Sequence, residues 1–144
     1  MGATNSPFQY SDAALRSVFD EVKSIAVVGI SRKGIRASNR VAVYLQQQGY
    51  RIFPVNPGAA GETMLGETVF ARLADIPQPV DMVDIFRRSE DVAPIVDQAI
   101  EIGVAVIWMQ LDIYDREAAA KAEAAGIKVI MDRCPAIELP RLAA

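Results

Sequence analysis

The spacing of apolar positions along this chain changes repeatedly between a helical and a strand period, and the changes divide it into alternating elements. Leu15, Val18 and Phe19 recur at helical spacing within Asp12 to Val22, where Ser11 or Asp12 can serve as N-cap. Ser24 to Gly29 (SIAVVG) is then a continuous apolar run ended by glycine. After a turn, Ile30 to Ala37 (ISRKGIRA), a helical run from Ser38 to Gln48 leads to a second β-type run, Arg51 to Val55 (RIFPV). The Gly/Pro-rich turn Asn56 to Gly61 precedes a short extended piece at Glu67 to Phe70, which fits a third strand, and a helical turn before Ile76. Val80 to Phe86 alternates and then becomes continuously apolar, Asp91 to Ile102 reads as a helix closed by Gly103, and Val104 to Trp108 (VAVIW) is again β-type. Asp115 to Ala125 is an Ala-rich helix stopped by Gly126, and Ile127 to Met131 (IKVIM) is the last strand.

Strands that are apolar on both faces, alternating with helices of roughly 10 to 12 residues, predict a parallel sheet covered on both sides. With right-handed crossovers and a glycine turn after the first strand, the expected fold class is α/β: a Rossmann-like, doubly wound parallel sheet of five to six strands, order 3-2-1-4-5(-6). It forms a single three-layer domain over residues 11–144, behind an N-terminal tail of residues 1–10. In such a sheet a ligand lies outside the carboxyl ends of the strands, where the strand order reverses. That rule gathers Gly29 to Ser31, Asn56 and Pro57, Arg87 and Arg88, Met109 and Gln110, and Asp132 to Cys134.

Composition narrows the chemistry. With 144 residues, 51% of them hydrophobic and 23% charged, the chain has the make-up of one soluble domain. No apolar run approaches the ~20 residues that span a bilayer, and no secretory signal is visible, so a cytoplasmic location is expected. Cys134 is the only cysteine, which removes intramolecular disulfides and multi-thiolate metal sites; no metal is expected. The chain has no histidine, which excludes Ser-His and Cys-His nucleophile activation, phosphohistidine intermediates and imidazole ligation. No catalytic residue is assigned.

Charge is distributed unevenly. The net charge is −3, yet no Asp or Glu occurs from Val22 to Gly61, a stretch carrying Lys23, Arg32, Lys33, Arg36, Arg40 and Arg51. This pattern points to an anion, and its strand-turn-helix setting points to phosphate. Gly29, Ser31 and Gly34 form G-x-S-x-x-G, a relative of the dinucleotide fingerprint. Gly29 would turn the chain off the strand, the backbone N–H groups of Ile30 and Ser31 would face a pyrophosphate, and Ser31 and Ser38 would add hydroxyls. Ser38 is also a natural N-cap. NAD is disfavoured because Asn56-Pro57 stands where an acid usually accepts from the ribose, and no acid follows until Glu62. NADP and coenzyme A both suit an acid-free basic rim, and charge leaves the two open.

The segments VVGISRK (Val27 to Lys33), SNRVAVYL (Ser38 to Leu45), GYRIFPVNP (Gly49 to Pro57), VDMVDIFRRSE (Val80 to Glu90), WMQL (Trp108 to Leu111) and VIMDRC (Val129 to Cys134) together resemble the CoA-binding protein family related to the N-terminal domain of the succinyl-CoA synthetase α-subunit. The resemblance implies a stand-alone CoA- or acyl-CoA-binding domain holding the 3'-phospho-ADP moiety, with no demonstrable catalysis. By position, Gly29, Ser31, Arg32 and Lys33 resemble its pyrophosphate turn, flanked by Ser38 and Arg40. Asn56 and Pro57 resemble the adenosine-side edge, Phe86 and Arg87 the opposite wall, and Gln110 a position near the pantetheine path. Asp112 stands where the family usually has glycine. The related ligase's phosphohistidine chemistry does not carry over. Competing readings are an NADP-dependent reductase, an acyl-CoA enzyme completed by a partner subunit, and a regulator that senses CoA. Neither nucleic acid nor membrane is an expected partner, whereas a protein partner or a homo-oligomer stays open. Cys134, beside Arg133, is either a packed cysteine or a redox thiol able to form a mixed disulfide with CoA.

Overall fold

The computed structural model describes residues 6–143. Residues 1–5 of the expected tail lie outside the described residues. Helix α1 spans Asp12–Glu21, and its N-cap Ser11 accepts a hydrogen bond from the Ala14 N–H. Strand β1 (Ser24–Val28), helix α2 (Ala37–Gln47) and strand β2 (Arg51–Val55) complete the first β-α-β unit. A minimal antiparallel pair follows, β3 (Thr63–Met64) and β4 (Glu67–Thr68). Strand β5 (Met82–Ile85), helix α3 (Val92–Ile102), strand β6 (Val106–Met109), helix α4 (Arg116–Ala124), strand β7 (Lys128–Ile130) and helix α5 (Pro135–Ala143) make up the rest.

The parallel sheet has five strands in the order β2-β1-β5-β6-β7. This is the expected doubly wound α/β architecture with its outermost strand reduced to a vestige. The piece expected as strand 3 contributes one parallel bridge, Val55 to Phe70: the Phe70 N–H donates to Pro54 O and the Asn56 N–H to Phe70 O, both at 2.9 Å. Pro54 lacks an N–H, which suits it to the edge strand that results. Helix α5 was not expected. Pro135 begins it, where a missing N–H costs nothing, and Pro140 lies inside it, which masks the helical signal in the sequence.

Strand alternation sorts the core into two layers. Ile25, Val27, Met82, Val106 and Trp108 face α1, α2 and α5, whereas Ala26, Val28, Val83, Ile85 and Ile107 face α3 and α4. Each fully buried Ile or Leu of this kind stabilises the fold by about 1.5–3 kcal/mol. Trp108 is fully buried against Phe19, with ring centroids 5.4 Å apart, and its indole N–H donates to Arg133 O at 2.8 Å. Tight packing also extends upstream of residue 11. Phe8 is buried, the Tyr10 hydroxyl accepts from the Met131 N–H at 2.9 Å, and the Arg133 guanidinium donates to Phe8 O while lying over the Tyr10 ring. No helix among the described residues is long and apolar enough to cross a membrane.

Candidate functional site

The strand order reverses between β1 and β5, and the carboxyl ends of these strands meet at Gly29. Its φ is +89°, and an added Cβ would stand 2.6 Å from Phe86 O and 2.8 Å from the Arg87 Cδ. Only glycine allows the chain to leave β1 this close to the end of β5. The next turn is tied down by side chains. Asn56 Nδ2 donates to Ile30 O at 2.8 Å while its Oδ1 accepts from the Gly58 N–H, so Asn56 braces the β1 turn against the β2 turn. Ile30 is fully buried.

Ser38 is not the N-cap. Arg36 occupies the cap position and Ser38 lies in the first turn of α2, buried, with its Oγ accepting from the Ser31 N–H at 3.0 Å. Backbone position decides this: Arg36 has extended φ and ψ, so the helix begins at Ala37, about two residues earlier than Ser38 would cap it. Ser31 Oγ in turn accepts from the Lys33 N–H, and Asn39 Nδ2 donates to Ser31 O. The Asn39 and Arg40 N–H groups turn back to Arg36 O, leaving those of Ala37 and Ser38, among the described residues, as the unfilled donors of the helix start.

The basic side chains divide into two groups. Arg32 reaches across to the loop after β2, pairing with Glu62 at 2.7 Å and donating to Gly58 O. The first acid after the acid-free stretch thus neutralises one of its cations, and the pairing raises the Arg32 pKa while lowering that of Glu62. Lys33, Arg36 and Arg40 make no ion pair among the described residues. They surround the start of α2, whose dipole adds to their field.

Two cavities flank the reversal point and share Arg87. One, of about 240 Å³, lies under the ends of β1 and β2 and is lined by Val55, Pro57, Arg72, Leu73 and Ile95. The other, of about 380 Å³, lies on the α2 side, with Ala37, Val41, Phe86, Gln110, Ile113 and Cys134 on its walls. The expected residues thus divide, Pro57 lining the smaller cavity, Phe86 and Gln110 the larger and Arg87 both, while Gly29 lies against Phe86 O and the Arg87 side chain. Asn56 serves as a brace between the β1 and β2 turns. Arg72 was not among the expected residues, although it follows the same signal: it lies two residues beyond the Glu67 to Phe70 segment expected as strand 3, and carboxyl ends of strands are where ligands bind. Its partner is Asp75 at 3.3 Å. Cys134 is buried on the cavity wall, while the Arg133 guanidinium is engaged with Phe8 and Tyr10 instead.

Of the two acids on strand 4 of the expected sheet, Asp81 bonds a neighbouring segment, accepting from the Lys23 and Ser24 N–H groups at 2.8 and 3.2 Å. Asp84 is fully buried in mid-strand, between Val27 and Trp108 in the ladder. One end of the Gln110 amide lies 2.8 Å from Oδ1 and 3.2 Å from Oδ2, and assigning the nitrogen to that end lets Nε2 donate to both oxygens. Burial raises the Asp84 carboxyl well above the usual range. A group whose pKa is higher folded than unfolded adds stability below its unfolded pKa, and this is lost as pH rises through the folded value. The isosteric Asp84→Asn is therefore expected to raise Tm at neutral pH, and the gain should vanish as pH falls toward 4, about the unfolded carboxyl value. A pH series of thermal melts checks this; a Tm gain that grows toward acid would reverse the assignment.

At two further strand ends a non-glycine residue has positive φ: Asp112 at 65° and Asp132 at 60°. The Asp132 carboxylate accepts from the Asp112 N–H at 2.7 Å, so the two turns hold each other. At Asp112 the chain thus takes a conformation that glycine adopts without strain, and glycine is what the family resemblance led one to expect there.

Residues 23–140 match the model of a family described as a CoA binding domain. The chain is 36% identical over 124 residues to the protein YneT of Bacillus subtilis, covering 86% of this chain and 90% of that one. It is 31% identical over 99 residues to the ADP-forming acetate–CoA ligase II of Archaeoglobus fulgidus, covering 67% of this chain and 14% of the ligase. Among solved structures, a hypothetical protein from Pyrococcus horikoshii superposes with a TM-score of 0.90 at 35% identity, covering 100% of each chain.

Proposed function

The chain belongs to the CoA-binding domain family, and from that premise we propose that it is a soluble, cytoplasmic module that binds coenzyme A or an acyl-CoA without itself carrying out a reaction on it. The observation that carries this reading is the pair of cavities that share Arg87 on their walls. A dinucleotide needs two nucleoside pockets, whereas CoA needs one pocket for adenosine and a long, mostly apolar channel for a neutral arm. The smaller cavity, beside Pro57 and Arg72, suits the adenosine end. The larger one, walled by Val41, Phe86 and Ile113 with one amide, suits pantetheine.

The pyrophosphate then crosses the neck at Gly29, where the Ala37 and Ser38 N–H groups, the α2 dipole and Lys33, Arg36 and Arg40 supply positive potential. Arg87, facing both cavities, reaches the phosphates from the other wall. No acid-base pair in the crevice is assigned a catalytic role. Asp84 lies buried beneath it, and the sequence holds no histidine.

Titration calorimetry with CoA, dephospho-CoA, NAD and NADP at one salt concentration tests the proposal. CoA should bind tightest, dephospho-CoA more weakly for want of the 3'-phosphate, and CoA affinity should fall as salt rises. Binding of NADP alone, or of none of the four, would overturn it.

A further inference from the structure

The wall of the larger cavity contains one buried polar side chain, Gln110, which is 6% exposed. An amide has a donor end and an acceptor end of nearly the same shape, so a ligand reads whichever end faces it. Here the choice is made from below. Asp84, wholly buried on β5, brings both carboxyl oxygens to the same end of the amide, at 2.8 and 3.2 Å. An NH2 group meets two acceptors favourably. With the carboxyl ionised, the reverse orientation would set the amide oxygen against two acceptors; only an Asp84 that carries a proton and donates its O–H could hold that orientation instead.

We infer that Asp84 is a positioning residue that fixes the polarity of the cavity wall: by holding the Gln110 nitrogen inward, it makes the amide oxygen the group offered to the ligand, and so selects an arm that carries N–H donors. This inference rests on the reading that pantetheine occupies the larger cavity. Pantetheine has two secondary amides, each able to donate to such an oxygen, whereas an arm bearing only ester, ether or carbonyl oxygens would meet an acceptor with acceptors. Leaving that oxygen unpartnered in a desolvated wall would weigh against such a ligand. Asp84 touches no part of the ligand itself; its effect is transmitted through one side chain.

Asp84→Asn tests this without altering shape. The new amide offers a donor as well as an acceptor to Gln110, so neither orientation is fixed. CoA affinity should fall about fivefold, the loss of one properly oriented hydrogen bond. Affinity for adenosine 3',5'-bisphosphate, which shares the nucleotide but lacks the arm, should be unchanged. The double variant D84N/Q110E keeps one buried carboxyl but moves it to the wall, again with an acceptor facing the cavity, and should recover CoA affinity. Equal losses for both ligands, an unchanged CoA affinity, or no recovery in the double variant would each overturn the inference.

A second measurement needs no ligand. The side-chain amide protons of Gln110, followed by NMR in the free protein, should exchange with water slowly in the wild type and at least about tenfold faster in D84N, as the NH2 gains access to the cavity. Equal exchange rates would sink the inference even if CoA binds. A difference in exchange with no CoA binding by the wild type would keep the orientation and discard the CoA reading.

Discussion

Gly29→Ala is expected to lower the unfolding free energy by about 2–4 kcal/mol and Tm by roughly 10 °C. Two costs combine at this position. At a φ of +89° any Cβ carries the left-handed penalty, about 1–2 kcal/mol. The added methyl would also stand 2.6 Å from Phe86 O, and that carbonyl cannot withdraw freely, because the Phe86 N–H is bonded to Val28 O at 2.8 Å and the Gly29 N–H to Val55 O at 2.9 Å. Relief must come from separating β1 and β5 at their ends, which opens the neck of the crevice. The variant should thus lose CoA binding beyond what its lower stability explains. Denaturant unfolding with and without CoA checks both parts. A variant that kept wild-type stability would show the approach of the two strands to be looser than the geometry indicates. Gly34→Ala is the matched control: its nearest neighbour would be Asn39 Oδ1 at 3.9 Å, and it should be nearly neutral.

The second large effect is expected at Arg87. Arg87→Ala should weaken CoA binding about 10- to 100-fold, as removal of a guanidinium bound to phosphate generally does, while changing stability by less than about 1 kcal/mol. The stability effect is small because the ion partner of Arg87 is Asp91 at 3.8 Å, in a half-exposed setting. Arg87→Lys retains the charge but not the planar fork, so it should recover only part of the loss. Calorimetric titration of the three proteins at one salt concentration measures this. Equal affinity in wild type and R87A would place the ligand away from the shared wall of the two cavities and would count against the whole crevice assignment.

Much of the fold was legible because its strands are continuous apolar runs and its helices end at glycine. Gly103 and Gly126 stop α3 and the turn after α4 with positive φ, and the strand order follows from crossover handedness. The failures have physical causes. The segment at Glu67 to Phe70 has strand character, but only Phe70 forms a backbone bridge to β2, while Glu67 and Thr68 pair with β3 instead. Helix α5 was hidden by Pro140, whose neighbours Leu139 and Leu142 supply the apolar face that holds it to α1 and α2.

At the site, the sequence indicated the right strand ends but not what each side chain does there. Asn56 and Ser38 hydrogen-bond the β1 turn, and Arg32 joins it to Glu62, a residue whose relation to Arg32 only the folded chain reveals. The partnership of Asp84 with Gln110 was invisible for the same reason: Asp84 lies on β5 and Gln110 just past the end of β6, a helix intervenes between them, and no local pattern links them.

The sheet order also has a consequence for how this chain acquires its structure during synthesis. Strand β1 is made first but is flanked by β2 on one edge and by β5 on the other, with register Ile25 to Met82. Its β2 edge can close as soon as residue 55 leaves the ribosome, while the opposite edge must wait for residue 85. Until then a strand that is apolar from Ile25 to Val28 presents open hydrogen-bonding groups on one side, the condition under which nascent chains pair with one another. The short β3–β4 pair and the turns between residues 56 and 81 fill that interval with local structure, and closure of β5 onto β1 is the event that both protects the edge and creates the crevice.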